Sequence, residues 1–110
     1  MRIVSLSEAP AVTAERFVAV SLVETPSSSM RVIRLGPGHE LPPHRHGSSD
    51  LLLLATEGTA TLATADGDVP LPAGAVAVLS GDEELRAANH GTDDVTLVAF
   101  LAPPFPPRSA

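Results

Sequence analysis

Residues 38–58 read GHELPPHRHGSSDLLLLATEG, and the interpretation of the whole chain depends on this stretch. At its centre His44 and His46 stand two residues apart, just before a run of leucines. In an extended strand, residues i and i+2 point to the same face, so the two imidazoles would project side by side while Arg45 points away. Two such imidazoles supply half of a typical metal coordination shell. The alternative is that they are two polar residues at the end of a strand.

The composition predicts one soluble domain. A chain of 110 residues with 44% hydrophobic residues is neither disordered nor large enough for two cores. We expect an N-terminal extension (1–14), a barrel (about 15–103) and a proline-rich tail (104–110). The longest apolar runs are too short to cross a bilayer, and no secretion signal is expected. The absence of cysteine excludes disulfides and thiolate metal sites, and it fits a cytoplasmic protein.

The charges argue against nucleic-acid and membrane partners. The net charge is −6, and the seven basic residues are all arginines scattered along the chain. Binding to nucleic acid or to an anionic membrane surface requires a clustered basic surface instead. The chain also lacks lysine and tyrosine, which excludes lysine Schiff bases and tyrosine general acids.

Short β-prone runs, each followed by a turn signal, recur along the chain without a convincing helix between them. Residues 7–16 are a weak helix candidate, interrupted by Pro10. Asp66-Gly67 is the strongest hairpin signal and predicts a type I′ turn, which needs positive φ at both central residues. The pattern predicts an antiparallel sandwich or barrel. The apolar run RFVAVSLV (16–23) is expected to pair with a partner's sheet edge, so a homodimer is expected.

Both halves of the chain resemble the cupin superfamily, over roughly residues 29–103. Gly38, His44, His46 and Gly58 fall at the spacing of its first motif. Residues 70–103 resemble its second motif, where Gly81 marks a turn and Asn89 ends a strand. The resemblance implies an all-β double-stranded β-helix, or jelly-roll barrel, whose interior holds a metal bound by three histidines and one glutamate.

The family's acidic ligand falls at one of two positions in this chain. Counting forward from His46 gives Asp50, whereas counting back from Gly58 gives Leu51. Only one of these neighbours can face inward unless a bulge intervenes, because side-chain direction alternates along a strand. Asp50 is the only acid nearby, so we predict it as the ligand; the alternative is a solvated aspartate at a strand start.

The family's last histidine is missing. Counting from Gly81 places Glu84 there, and counting from Asn89 places Leu85. Glu84 is either an oxygen ligand or part of a charged turn. With it, the predicted metal ligands are His44, His46, Asp50 and Glu84, a set that suits divalent Mn, Fe, Ni or Zn.

Four other polar residues are weaker candidates. His39 and His90 occur in turns and are not expected to bind metal. Arg34 and Arg86 lie on predicted strands, where an inward-facing arginine would recognise a carboxylate or phosphate and an outward-facing one would be solvated.

Two functions remain open from the sequence. The first is a metal-dependent enzyme acting on a small molecule, and the resemblance implies dioxygenases, isomerases or lyases; the family's sugar epimerases are disfavoured because they use a tyrosine. The second is a non-enzymatic ligand-binding or sensory cupin with a degenerate or empty metal site. A purely structural role ranks last, because it gives His44 and His46 no purpose. The small-molecule ligand itself is not defined, because the expected pocket walls are generic Leu, Val, Ala and Thr.

Overall fold

A computed structural model describes residues 1–105, which form two antiparallel β-sheets with a hydrophobic core between them. A 3-10 turn at Leu6–Glu8 is all that forms of the weak helix candidate, and Pro10 follows it closely. The strands are β1 (Val18–Glu24), β2 (Ser29–Leu35), β3 (Glu40–His44), β4 (Asp50–Glu57), β5 (Thr59–Thr64), β6 (Gly67–Pro72), β7 (Val76–Leu79), β8 (Leu85–Ala88) and β9 (Val95–Ala102).

The strand order is that of a jelly roll. One sheet has the order β1-β2-β9-β4-β7, and the other has the order β3-β8-β5-β6. Strands distant in sequence are therefore neighbours, as β2 and β9 are, because the chain crosses repeatedly between the sheets. The all-β jelly-roll prediction is confirmed.

The leucine run of β4 shows how the core is filled. Leu51 and Leu53 are fully buried, whereas Leu52 between them is 44% exposed on the outer face. Successive side chains of a strand point to opposite faces, so only alternate leucines reach the space between the sheets. There they pack with core residues from both sheets, including Leu62 and Leu97.

The predicted hairpin joins β5 to β6, but its turn is of another type. Thr64 pairs with Gly67, so the central residues are Ala65 and Asp66 rather than Asp66 and Gly67. Neither has a positive φ, whereas Gly67 has a φ of 113°. The type I′ prediction was wrong, because the glycine's conformational freedom is used just after the turn.

The outer face of the five-stranded sheet is partly covered by the N-terminal segment. Arg34 donates a 2.7 Å hydrogen bond from Nη2 to the carbonyl oxygen of Leu6, and Ala9 is buried. Val32 and Val98, which pair across β2 and β9, are also buried although they belong to this face. Arg34 therefore points away from the space between the sheets, and it is not the inward-facing arginine that the sequence left open.

Two further expectations concern the ends of the chain. β1 lies at an edge of its sheet, the position that the expected dimer contact requires, and the homodimer itself stays a prediction to be checked by the mass in solution. The predicted tail falls mostly on residues 106–110, which lie outside the described residues. Within residues 1–105, no helix has the length and apolarity to cross a membrane.

Candidate functional site

The two histidines of the HRH motif converge at the end of β3. Their ring centroids lie 4.5 Å apart, with an angle of 67° between the ring planes. Arg45 is exposed, and its Nε donates a 3.0 Å hydrogen bond to the carbonyl oxygen of Asp82. The predicted side-by-side arrangement is present, although β3 ends at His44 and His46 lies in the turn that follows.

His44 is held in one tautomer by its own strand. Its Nδ1 lies 2.8 Å from the carbonyl oxygen of Pro42. A carbonyl can only accept a hydrogen bond, so Nδ1 carries the proton and Nε2 of the neutral ring keeps a free lone pair.

His46 is buried and has an unsatisfied ring nitrogen. The side chain is only 3% exposed, and its Nδ1 has no hydrogen-bond partner within residues 1–105. The ring packs edge-on against Phe105, with centroids 5.2 Å apart. Burial lowers the pKa of His46 below its ordinary value of 6.5, and electrostatic repulsion from the neighbouring His44 and Arg31 side chains lowers the pKa further. The shift favours the neutral form of His46 at pH 7.

The histidines open into a cavity of about 260 Å³ between the two sheets. Apolar side chains form most of its wall, and Arg31, His44 and His46 supply the charged or polar groups. The apolar wall consists of Ala19, Ile33, Leu41, Pro42, Leu51, Leu85, Ala99 and Leu101.

Arg31 is the inward-facing arginine of the barrel. It lies on β2, pairs with the buried Ala99 of β9, and shares its face of the strand with Ile33. Arg34 and Arg86 were the arginines that the sequence offered as inward-facing candidates, and Arg31 was not among them. Arg31, Ile33 and Leu35 share one face of β2, and Met30 and Val32 lie on the other. Both faces carry apolar residues, so the sequence pattern did not identify the inner face.

Asp50 does not lie with the histidines. It is the exposed first residue of β4, and it lines a separate groove with Leu52 and Phe100 on the outer face of the sheet. Its neighbour Leu51 faces the cavity and is fully buried. The inward orientation expected for Asp50 was wrong. Side chains alternate strictly along β4, and Leu51, the position counted back from Gly58, is the one that faces inward.

Glu84 also lies outside the cavity. Its carboxylate contacts Arg86 Nε at 3.5 Å and Arg45 Nη1 at 3.9 Å on the exposed surface. Leu85 is 2% exposed and lines the cavity in its place. Glu84 therefore belongs to the charged turn that the sequence offered as the alternative, and counting from Asn89 gives the inward position.

The two remaining histidines serve no metal site in this arrangement. His39 accepts a 2.8 Å hydrogen bond at Nδ1 from the amide of Gly36, and its Nε2 lies 2.9 Å from the carbonyl oxygen of Ala14. Both ring nitrogens thus hold loops together. His90 is exposed, as expected for a turn residue.

The predicted four-ligand metal site does not fit these side chains. Leucines occupy both positions where the acids were expected, and the cation Arg31 lines the same cavity as the histidines. Within residues 1–105, no group of three His, Cys, Asp or Glu side chains is placed to hold a metal ion. What remains is a pair of imidazoles, which is half of a coordination shell.

Comparisons with known proteins agree on the fold. No protein-family model matches the sequence, and no curated protein matches it. An uncharacterized conserved protein with a double-stranded β-helix domain from Klebsiella pneumoniae superposes with a TM-score of 0.84 at 25% identity, covering 93% of this chain and 84% of that one. An RmlC-like cupin protein from Desulfovibrio desulfuricans gives a TM-score of 0.82 at 27% identity, covering 96% and 99%.

A third similar structure has a different context. It is the cupin domain of an XRE-family transcriptional regulator from Enterobacter cloacae, with a TM-score of 0.65, 19% identity, and coverage of 77% of this chain and 94% of that one. At this identity the likeness concerns the fold alone. The shared jelly-roll order and the two glycine-marked motifs, together with the two more similar structures, make this chain a member of the cupin superfamily.

Proposed function

We propose that this protein binds a small organic molecule in the cavity between its sheets, and that binding does not depend on a metal. The observation that carries the proposal is the cavity itself, which combines an apolar wall with three polar groups. Few, precisely placed polar groups in an apolar cleft are typical of small-molecule sites. The volume of about 260 Å³ limits the ligand to molecules smaller than a typical drug.

This proposal takes the second of the two functions left open by the sequence, a ligand-binding or sensory cupin. Leu51 and Leu85 support it, because they make the wall apolar where a metal centre needs donor atoms. We assign no catalytic residue.

The test is a titration of the ¹⁵N-labelled protein with small organic fragments, followed by amide chemical shifts. We expect fragments to shift the amides of cavity residues, and Ala19→Leu to weaken those shifts because the larger side chain occupies the cavity. Ala63→Leu is the matched control, since Ala63 is a half-buried alanine outside this cavity. Shifts confined to other surfaces, or unchanged by Ala19→Leu, would contradict the proposal.

A metal-dependent function is the second candidate, and the geometry of His44 favours it. The hydrogen bond from Nδ1 to Pro42 leaves Nε2 as an electron-pair donor, and many metal-binding histidines are oriented by a similar hydrogen bond from their other ring nitrogen. With the proton of His44 on Nδ1, His44 and His46 would hold a divalent Mn, Fe, Ni or Zn ion. The bound ligand or solvent would complete the coordination shell of the metal. A metal there would act as a Lewis acid.

Elemental analysis separates the two candidates. Protein purified without a histidine tag and carrying stoichiometric metal, which the His44→Ala/His46→Ala double variant loses, would favour the metal-dependent function. Protein without metal, whose melting temperature is unchanged by added Mn²⁺, Fe²⁺, Ni²⁺ or Zn²⁺, would exclude it.

A further inference from the structure

Arg31 differs from the exposed Arg45 and Arg86 in what its guanidinium contacts; like Arg34, it bonds only to a backbone carbonyl oxygen. Arg45 and Arg86 both pair with Glu84 on the surface. Arg31 is half-buried, and its contact is a long hydrogen bond of 3.4 Å from Nη2 to the carbonyl oxygen of Ala19. Within residues 1–105 no carboxylate lies within ion-pair distance of it. A guanidinium has five N–H donors, so most of the donors of Arg31 are available to another molecule.

The surroundings of Arg31 also leave its N–H donors available to a ligand. Among residues 1–105, no acidic side chain lines the cavity, and its wall is otherwise apolar apart from the two imidazoles. A charge taken out of water is costly unless a partner compensates it. The half-buried guanidinium of Arg31 has no anionic partner among residues 1–105, and an anionic ligand in the cavity would supply one.

We infer that the ligand of this cavity is a small organic monocarboxylate, whose carboxylate pairs with Arg31 while its apolar body packs against the leucines of both sheets. The inference rests on the proposed function and narrows it to one chemical class. The planar fork of a guanidinium matches the two oxygens of a carboxylate. A single cation balances one negative charge, and the walls of Leu41, Leu51 and Leu101 favour a hydrocarbon body over a phosphate ester.

The experiment compares hexanoate with 1-hexanol, which has the same carbon chain and no charge. Dissociation constants come from amide shifts of the ¹⁵N-labelled protein. We expect wild type to bind hexanoate at least tenfold more tightly than 1-hexanol. Arg31→Gln should remove this preference, because the apolar wall remains and the ion pair is lost. Arg31→Lys should retain part of it, because the charge remains without the fork.

Arg86→Gln is the matched control. It removes the same charge from an exposed arginine whose side chain is 58% accessible. The variant therefore tests whether the net charge of the protein alone determines the affinity for hexanoate. We expect hexanoate to bind this variant as it binds wild type. A further measurement needs no variant: added salt should weaken the binding of hexanoate to wild type and leave that of 1-hexanol unchanged.

The outcomes distinguish the inference from the function on which it rests. Equal affinity for hexanoate and 1-hexanol at the cavity amides, or hexanoate binding that Arg31→Gln leaves intact, would overturn the inference and keep the proposed function. Absence of binding by both compounds would overturn the inference, and the fragment titration with Ala19→Leu would then decide the proposed function. If Arg31→Gln fails to fold, the comparison of the two compounds and the salt dependence in wild type still decide the matter.

Discussion

The amide of His46 donates a 2.9 Å hydrogen bond to the carbonyl oxygen of Gly81. This bond joins the turn after β3 to the turn between β7 and β8, and so connects the two sequence motifs at the mouth of the cavity. The backbones are close here: a Cβ on Gly81 would overlap the carbonyl oxygen of Gly47 and lie 2.8 Å from that of Ser49. The position of His46 therefore depends on the absence of a side chain at residue 81.

Gly81→Ala should destabilise the protein and displace His46. The obstructing atoms are backbone atoms, which cannot rotate away, so we expect a loss of about 1–3 kcal/mol or more in the free energy of unfolding. Urea unfolding measures the loss, and amide shifts around His46 report the displacement. Gly91→Ala is the control, because its Cβ would meet its nearest atom at 3.5 Å, an ordinary contact. Equal stability of the two variants would show that the close approach is not a constraint.

Asn89→Asp should destabilise the fold at neutral pH. Asn89 is fully buried, and its Nδ2 donates to the carbonyl oxygens of Leu35 at 2.9 Å and Asp93 at 2.8 Å. An aspartate places an oxygen against both acceptors, and each buried group left unsatisfied costs about 1–3 kcal/mol.

The pH dependence checks this explanation. Protonation of the new carboxyl returns one donor, so the variant should recover part of its relative stability as the pH falls. Asp94→Asn is the control, a swap of the same size at an exposed position in the same turn, and it should change the free energy of unfolding little. A loss of stability that is the same for Asn89→Asp at every pH would show that the hydrogen bonds of Asn89 are not its cause.

The fold was predictable because its signals are local and repeated. Short β-prone runs with turn signals predicted an antiparallel sandwich or barrel, and the resemblance to the cupins implied the jelly roll. The HRH spacing predicted that His44 and His46 lie together. The ligand set was not predictable, because it depends on register. In the run DLLLL (50–54), a shift of one residue exchanges every inward and outward side chain, and the leucines carry no periodicity that would favour either register.

The same ambiguity hid Arg31. Both faces of β2 carry apolar residues, because one covers the core and the other lies partly beneath the N-terminal segment that Arg34 helps to hold. Which face is inner is decided by the pairing of β2 with β9, a contact between strands more than sixty residues apart. Tertiary packing of this kind leaves no mark on the local pattern.

His46 should make the protein less stable as the pH falls. Its pKa in the folded state is lowered from 6.5, chiefly by burial, whereas in the unfolded chain it keeps the ordinary value. As the pH falls, the unfolded state therefore takes up a proton before the folded state does. The contribution of His46 to the free energy of unfolding is fully present above pH 6.5 and is lost as the pH drops below that value. His46→Gln should reduce the slope of the unfolding free energy against pH below 6.5, as measured by urea unfolding. His90→Gln, at an exposed turn, is the control, and parallel curves for wild type and His46→Gln would contradict the assignment.

Removal of the exposed acids should leave any metal affinity unchanged. Asp50 and Glu84 face away from the cavity, so Asp50→Ala and Glu84→Ala should not alter the binding of Zn²⁺ or Ni²⁺ in equilibrium dialysis of the untagged protein. His44→Ala should lower any such affinity at least tenfold, because half of the two-imidazole donor set is lost.

Glu83→Ala serves as the matched control for Glu84→Ala, since Glu83 is an exposed acid of the same turn that accepts a hydrogen bond from the amide of Ser80. A specific loss of metal binding in Asp50→Ala or Glu84→Ala would require β4 or the turn before β8 to change register when metal binds. That would restore the four-ligand site predicted from the sequence. Unchanged binding in both variants would instead leave the two imidazoles as the metal donors of the cavity, beside Arg31, on which the proposed carboxylate ligand depends.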